Sequence, residues 1–432
     1  MNHALLLVLA SALACSPLLA QERVVTLEEA VRLAERTQPR VVQARAGVNT
    51  AAAQRRNAWG AFLPSVTAGS SASEFFSEGA DRIDPITGLL NSGNSSNRSV
   101  TTSLSASVDL FTGFRRGAQL RAAKAGEEEA GATLVDTRFQ QALATTNQFF
   151  DALSAAQLVG VREAGVRRAE EQLKVSIAKL QAGSATRSDS LRSLVTLGNT
   201  RLDLIQARTD LATAEAGLAR LIGEVGRVRA ADDSTFRQVA MAVDTQALRT
   251  EAEARSPRIQ SAAAGANAAR ADVSAARSGY WPSLTLGANT GWNASRANDY
   301  TFFNQRQLSL RLSWDLFNGF DRELAITQRE ASYDVARATA EDERRAVQAE
   351  LTQRLAELDA ARSKIDITQT SVAAATEDLR VQQERYRLGV ATIVDVLTSQ
   401  EALDQAEVDV VNARFDYLRA KAQIEALIGR TL

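Results

Sequence analysis

The sequence is poor in the residues that most often carry catalysis or cross-linking. Among its 432 residues there is one cysteine and one histidine, Cys15 and His3. If the amino-terminal stretch that holds both is removed, the rest of the chain has no thiol and no imidazole. Disulfides, cysteine nucleophiles, histidine acid–base catalysis and the common zinc sites are then excluded. We therefore expect no enzyme, no cofactor and no metal site.

Proline, aromatic residues and net charge are also scarce. The chain has six prolines and only 5% aromatic residues, a composition that favours long helices. With 50 basic and 51 acidic residues the formal charge is −1, so the chain lacks the basic field that nucleic-acid binding requires. After residue 20 there is no run of 18 apolar residues, and no membrane-spanning helix is expected.

The amino terminus is typical of an export signal. The apolar run at residues 4–14 is too short to span a bilayer and is followed by small residues up to Ala20. We therefore interpret residues 1–20 as a signal peptide. Two processing routes stay open, because cleavage after Ala20 discards Cys15, whereas residues 12–15 are similar to a lipoprotein box in which Cys15 would be lipidated.

The rest of the chain is an internal duplication. VDLFTGFRR at residues 108–116 matches WDLFNGFDR at residues 314–322, an offset of 206 positions. Upstream the offset becomes 218, which pairs Pro64 with Pro282. A repeat of this length indicates two homologous structural units. The predicted divisions are a first repeat at 21–223, a linker at 224–243 and a second repeat at 244–432.

Two segments in each repeat alternate strictly between apolar and polar residues. In the last of them, Leu308 and Leu310 alternate with Ser309 and Arg311. Nine to twelve residues with one apolar face are typical of a transmembrane β-strand; the alternative is a half-buried sheet in a soluble protein. The predicted strands lie near 64–76, 100–111, 283–295 and 306–317. Four strands cannot close a membrane barrel, so a barrel must be shared between chains.

Long segments without proline predict the helices. Residues 113–182 and 319–388 lack proline, and seventy helical residues extend about 105 Å. From Leu351 to Tyr386 apolar residues recur every seven positions, which predicts coiled-coil packing. Return helices are predicted at 190–222 and 396–428. Segments of about 35 residues before the strands are also predicted to be helical.

Four sets of motifs occur in the same order in both repeats or mark their ends. They are YRLGVATIVDVL at 386–397, the VDLF and WDLF junctions, Leu-Pro-Ser and Trp-Pro-Ser before the strands, and Leu-Ile-Gly at the helix ends. Together they resemble the TolC family of outer-membrane efflux proteins, over nearly the whole chain from Thr26 onward.

The resemblance implies a fold that is mainly α with β. In it three identical chains form a twelve-stranded barrel in the outer membrane, four strands from each, and an α-helical barrel in the periplasm. It implies a passive exit duct of a tripartite efflux or type I secretion system. The partners would be a periplasmic adaptor protein, an inner-membrane transporter, outer-membrane lipid and two further copies of the chain.

The same resemblance implies a periplasmic gate. Asp395 matches a family position whose carboxylates ring the entrance, Asp189 matches its first-repeat counterpart, and Tyr386 matches a tyrosine that helps hold the inner helix pair shut. Thr398 stands where a second acidic ring residue would be and Ala391 where a locking arginine would be, so a weaker closed state is expected. The alternative is that both aspartates only cap the returning helices.

The resemblance also implies that the glycine turns between the long helices and the return helices form the adaptor-docking end. The turn residues are Gly183, Ala185, Thr186, Gly389, Ala391 and Thr392.

Two other classes of protein are weighed against the duct. A periplasmic coiled-coil adaptor would explain the helices but not the pairs of alternating strands. An outer-membrane scaffold without transport would tolerate the strands but has no need of two glycine turns with matched aspartates.

The alternation predicts that even-numbered residues from Leu308 to Leu316 face lipid and odd-numbered ones face the lumen. A water-soluble thiol reagent should label a Ser309→Cys variant in outer-membrane vesicles far faster than a Leu310→Cys variant. Equal labelling would contradict the assignment of a membrane strand.

Overall fold

A computed structural model describes residues 23–83, 85–91, 95–233, 236, 244–295 and 299–430 of the chain. The predicted signal peptide and the two processing routes at Cys15 lie outside these ranges.

The described residues form eight α-helices and eight strands. The helices are α1 (Leu27–Thr37), α2 (Pro39–Gly60), α3 (Arg115–Gln181), α4 (Arg187–Ile222), α5 (Thr245–Arg255), α6 (Pro257–Ala276), α7 (Asp321–Arg387) and α8 (Ile393–Ile428). The strands are β1 (Arg23–Val25), β2 (Ser65–Ser77), β3 (Arg82–Ile83), β4 (Leu90–Asn91), β5 (Ser95–Thr112), β6 (Val228–Ala230), β7 (Ser283–Ser295) and β8 (Phe303–Ser313). Over these ranges, no helix has the length and apolar character needed to cross a membrane.

Some helices and strands begin or end at other residues than predicted, because an N-cap, a proline or a neighbouring strand determines where they begin or end. The return helices α4 and α8 begin three residues earlier than predicted, because Thr186 and Thr392 act as their N-caps. Strand β8 was predicted near 306–317 but ends at Ser313. The helical segments before the strands are each two helices, because Pro39 and Pro257 begin new helices and cannot continue the preceding ones.

The chain divides into two compact units, one of which comprises residues 42–137 and 249–350. This unit contains a four-stranded antiparallel sheet in the order β2-β5-β7-β8. Strand β5 is the longest strand of the sheet and pairs with β2 on one side and β7 on the other. The two outer strands, β2 and β8, have one neighbour each within the described chain.

The two faces of this sheet differ in chemistry because the register pairs odd residues with odd ones and even with even, up to a β-bulge in β5 after Asp109, beyond which Phe111 pairs with Leu284. The odd face of β2 and β5 carries mostly small hydroxyl side chains, which bond across the strands. The closest pairs are Ser65–Ser107 at 2.8 Å, Thr67–Ser105 at 2.6 Å and Ser73–Ser99 at 2.9 Å between hydroxyl oxygens. The even face carries the alternating apolar side chains, together with the hydroxyl pair Ser70–Thr102 at 2.9 Å and the ion pair Arg98–Glu74 at 2.6 Å. Which face meets lipid stays a prediction.

The second unit comprises residues 1–41, 138–248 and 351–432. In it β1 pairs in parallel with β6, which lies in the predicted linker. The core of this unit includes Phe149, which is fully buried, and its neighbour Phe150. The Phe150 ring packs edge-on against Phe236 at 5.5 Å and tilted against Phe415 at 6.2 Å. This aromatic cluster joins residues that lie far apart in the sequence.

Truncation of the fully buried Phe149 to alanine should lower the thermal stability of this unit, because it removes a ring from a packed core. The expected cost is about 3–5 kcal/mol. Thermal melts of detergent-purified protein, followed by far-ultraviolet circular dichroism, would measure it. Phe149→Leu leaves a smaller cavity and should give a smaller drop; equal melting of both variants and the wild type would contradict the core assignment.

Candidate functional site

Two turns of the same construction join the long helices to the return helices. Gly183 ends α3 and Gly389 ends α7, with φ angles of +71° and +82°, a conformation that glycine adopts without strain. At the second turn, the Gly389 N–H donates to the Tyr386 carbonyl at 3.1 Å and the Val390 N–H to the Arg385 carbonyl at 2.9 Å. These two hydrogen bonds together form the Schellman motif, which satisfies the last carbonyls of a helix. The first turn has the equivalent bonds Gly183–Leu180 and Ser184–Lys179.

Both candidate gate aspartates cap the helices that follow the turns. The Thr392 backbone N–H donates to the Asp395 carboxylate at 2.7 Å, and the Asp395 backbone N–H donates to the Thr392 hydroxyl at 3.3 Å. Thr186 and Asp189 form the same reciprocal pair at 2.9 and 3.3 Å. Each pair is a capping box that satisfies free N–H groups at a helix start. The capping role weighed from the sequence is therefore observed at both positions.

The Asp395 side chain is exposed as well as capping. Hydrogen bonds from the Thr392 backbone N–H and then its hydroxyl lower the pKa of the Asp395 carboxyl below its ordinary value. The carboxylate is therefore ionised at neutral pH, and its contribution to the cap is lost only as the pH falls through that lowered pKa. Thr398 follows one turn later on α8 and is also exposed.

Tyr386 is buried, with 5% of its surface exposed, in an apolar cluster between the ends of α7 and α8. Ala391 packs against this cluster. The Tyr386 hydroxyl makes no hydrogen bond within the described residues. Burial raises the pKa of this hydroxyl, the nearby Ser176 hydroxyl lowers it in part, and the charge of Asp189 raises it further. The phenol is therefore neutral at neutral pH.

Lys179 contacts Tyr386 and was not singled out from the sequence. Its ammonium lies 4.5 Å from the centre of the Tyr386 ring and donates to the Tyr386 backbone carbonyl. The contact joins α3 of the first repeat to the end of α7 in the second. A lysine in the last turn of a helix is a recognisable sequence signal, but its partner in the other repeat is not.

A second link between the repeats was also missed. Arg168 of α3 donates to the carboxylates of Asp404 and Glu407 of α8 at 2.5 and 2.6 Å. Gly165 allows this approach, because a Cβ atom there would lie 3.3 Å from the Asp404 carboxylate. The ion pairs fix one helix pair against the other above the turns.

The described residues contain no group of three or more His, Cys, Asp or Glu that could hold a metal ion. What the site offers instead is two capped turns, the exposed carboxylate of Asp395, the partly buried carboxylate of Asp189 and a few contacts that join the two helix pairs. Such a set of groups can hold or release helices, and it is combined with a sheet that has one apolar face. These features are typical of a channel subunit.

Comparison with known proteins agrees with this class. The sequence pattern of the outer membrane efflux protein family matches residues 30–224 and 248–430. The chain is 24% identical over 340 residues to the outer membrane protein TolC of Escherichia coli, which covers 75% of this chain and 69% of TolC. It is 27% identical over 354 residues to the pyoverdine export outer membrane protein OpmQ of Pseudomonas aeruginosa, covering 78% and 71% of the two chains. The fold is similar to that of CusC, with a TM-score of 0.81, 17% identity, and coverage of 94% and 92%.

The chain belongs to the outer membrane efflux protein family. It is an outer-membrane exit duct that extends into the periplasm, from a family of channels and not of enzymes. The predicted family and the mixed fold of long helices and strands are thereby confirmed.

Replacing Lys179 with methionine keeps the side-chain length but removes the ammonium. We expect a loss of about 1 kcal/mol at the contact with Tyr386, because the carbonyl loses a charged donor and the ring loses a cation. Hydrogen exchange at the α7–α8 turn should then be roughly fivefold faster.

The matched control is Lys174→Met, since the Lys174 ammonium pairs with Glu171 of its own helix and its side chain is 71% exposed. Equal exchange at the turn in both variants would show that Lys179 does not hold the two helix ends together.

Proposed function

We propose that three copies of the chain assemble into one passive duct that docks on a periplasmic adaptor protein and, through it, on an inner-membrane transporter. Twelve strands, four from each copy, would close the barrel, and the long helices would form the periplasmic part. The proposal assigns no catalytic step and no cofactor to the chain.

The observation that carries the proposal is the pair of open edges of the four-stranded sheet. Strands β2 and β8 are 13 and 11 residues long, and within the part of the chain that the structure describes each pairs on one side only. In lipid, unpaired N–H and C=O groups along such an edge cost several kcal/mol each, so open sheets do not occur there. Edges supplied by further copies satisfy these groups and leave none exposed.

The two glycine turns are proposed to form the adaptor-docking end. The turn residues Gly183, Ala185, Thr186, Gly389, Ala391 and Thr392 have the same conformation in both repeats, so three copies would present six similar turns. Large apolar side chains beside the second turn are exposed, with exposures of 69% at Leu388, 64% at Val390 and 45% at Val394. Exposed apolar groups in one place are typical of a surface that binds another protein.

Asp395, Asp189, Tyr386 and Thr398 are proposed to line or hold a gate at this end. Three-fold symmetry would place three Asp395 carboxylates around one opening, where they repel one another and attract cations. The capping role supports this arrangement, because the cap orients the carboxylate at the start of α8 without burying it. Ala391 contributes no charge, so the closed state would depend on other contacts.

A Gly389→Val variant should lose chemical cross-linking to the adaptor protein in cells, because valine does not tolerate the positive φ of the turn. Trimers trapped by an amine-reactive reagent in detergent should persist. Gly88→Val is the matched control, since Gly88 also has a positive φ, of +67°, and no atom near its Cβ position. Unchanged adaptor cross-linking in Gly389→Val would contradict docking at this turn, and wild-type protein that gives no trimers would contradict the duct itself.

An Asp395→Asn variant should keep the trimer, because the asparagine oxygen can still accept the Thr392 N–H. Planar-bilayer recordings should show a lower preference for cations and weaker block by multivalent cations. The control Asp366→Asn removes an exposed carboxylate from α7, away from the turn that precedes Asp395, and should behave like the wild type. If Asp395→Asn also matches the wild type in selectivity and block, the residue is a helix cap and no ring exists.

A further inference from the structure

The two repeats have the same side-chain geometry where a strand leads into a long helix. Phe111 and Phe114 pack edge-to-face with ring centres 5.4 Å apart, and Phe317 and Phe320 do the same at 5.4 Å. Phe114 and Phe320 both have positive φ angles, of +65° and +69°. These pairs are 206 residues apart, so the sequence duplication extends to uncommon backbone conformations.

The contacts that each junction makes are duplicated as well. Arg116 donates to the Ala61 carbonyl at 3.2 Å, and its guanidinium lies 4.9 Å from the centre of the ring of the next residue, Phe62. Arg322 donates to the Gly279 carbonyl at 3.4 Å and lies 4.2 Å from the ring of Tyr280. The arginines are related by the offset of 206 and their partners by the offset of 218.

The same two offsets relate the strand pairs. Ser65 pairs with Ser107 where β2 meets β5, and Ser283 pairs with Ser313 where β7 meets β8. The two hairpins therefore have one register, and a contact of the first repeat can be transferred to the second by adding 206 or 218.

The pairing of β5 with β7 has no counterpart in the second repeat, because β8, which corresponds to β5, has no second neighbouring strand among the described residues. Residues 108–112 of β5 continue as a strand because they pair with the start of β7. Next to them, a Cβ atom at Gly113 would lie 2.5 Å from that of Trp281, and the Phe114 ring lies 5.7 Å from the Trp281 ring.

In the second repeat, residues 314–318 have the matching sequence, WDLFN, but β8 ends before them at Ser313. No atom of the described chain lies within 4 Å of a Cβ position at Gly319. The difference between the repeats thus lies in the neighbouring strand and not in the junction itself.

We infer that β2 of a second copy pairs with β8 in the register with which β7 pairs with β5. This inference rests on the proposed trimer and adds its residue contacts. Thr285 of β7 donates to the Asp109 carboxylate at 2.8 Å. Applying the offsets, Asp315 accepts the equivalent bond from Thr67 of the partner subunit.

The inferred register keeps the chemistry of both sheet faces continuous across the contact between copies. It pairs odd residues with odd ones, so Arg311 lies opposite Ser71 of the partner subunit and the hydroxyl-rich face continues. A shift of one residue would turn every side chain to the opposite face. A shift of two residues keeps each side chain on its face of the sheet but loses the bond to Asp315. Only the sequence duplication favours the inferred register over such a shift. The strand β8 then extends through residues 314–318, as β5 does.

Cysteine pairs test the register directly, because a disulfide requires Cα atoms about 4.4–6.8 Å apart. The inferred register is tested by Thr67→Cys with Asp315→Cys in one chain. Two-residue shifts are tested by Thr67→Cys with Ser313→Cys and by Thr67→Cys with Phe317→Cys. Asp109→Cys with Thr285→Cys is the control, since it should bridge within one chain through the observed pair. Oxidation, or a short bifunctional thiol reagent, is applied to outer-membrane fractions, followed by non-reducing electrophoresis.

Thr67→Cys with Asp315→Cys should shift most of the monomer into covalent dimers and trimers. The two shifted pairs should give several-fold less, and each single variant none. Stronger cross-linking of a shifted pair would overturn the inferred register and leave the trimer intact. If the control pair bridges within the chain while no pair links two chains, β8 does not meet β2 of another copy and the proposed trimer itself is wrong.

Discussion

A strand in lipid must have all its backbone N–H and C=O groups paired, and the rest of this chain is arranged around that requirement. The sheet of four strands pairs its inner edges, and the outer edges of β2 and β8 have no neighbouring strand among the described residues. In the proposed trimer other copies supply these neighbours, and because the second repeat duplicates the first, each outer edge would fit its counterpart. The duplication would then account both for the fold of one chain and for the surface by which chains join.

Most of the secondary structure could be predicted from the sequence, because long helices and membrane strands have strong periodicities. The ends of α3 and α7 are marked by glycine and lie within two residues of the predicted ones. The end of β8 was not predictable from its own pattern, since residues 314–317 alternate like a strand but pair with no strand among the described residues. The three-residue strands β1 and β6 carry too few residues to show a period.

The candidate site could be predicted only in part, for a related reason. Asp189 and Asp395 follow threonine at the spacing of a capping box, so their local geometry is present in the sequence. Lys179 is recognisable as a lysine in the last turn of a helix, but no local signal identifies its partner, and Arg168 has no local signal at all. Their partners, Tyr386, Asp404 and Glu407, lie in the other repeat, and only the packing of the two helix pairs brings them together.

The hydroxyl-rich face of the sheet bears on how a solute would move along it. Most of its residues are serine, threonine or glycine, which are short and uncharged, and its charged residues include Asp109 and Arg311, both of which pair with Thr285. The short side chains can replace the hydrogen bonds of hydration without holding any one solute firmly. If this face lines the proposed duct, the uncharged part of the wall would present a nearly flat free-energy profile, and passage over it would be limited by diffusion and width. Chemical discrimination between solutes would then occur elsewhere, and one such wall could serve many different molecules.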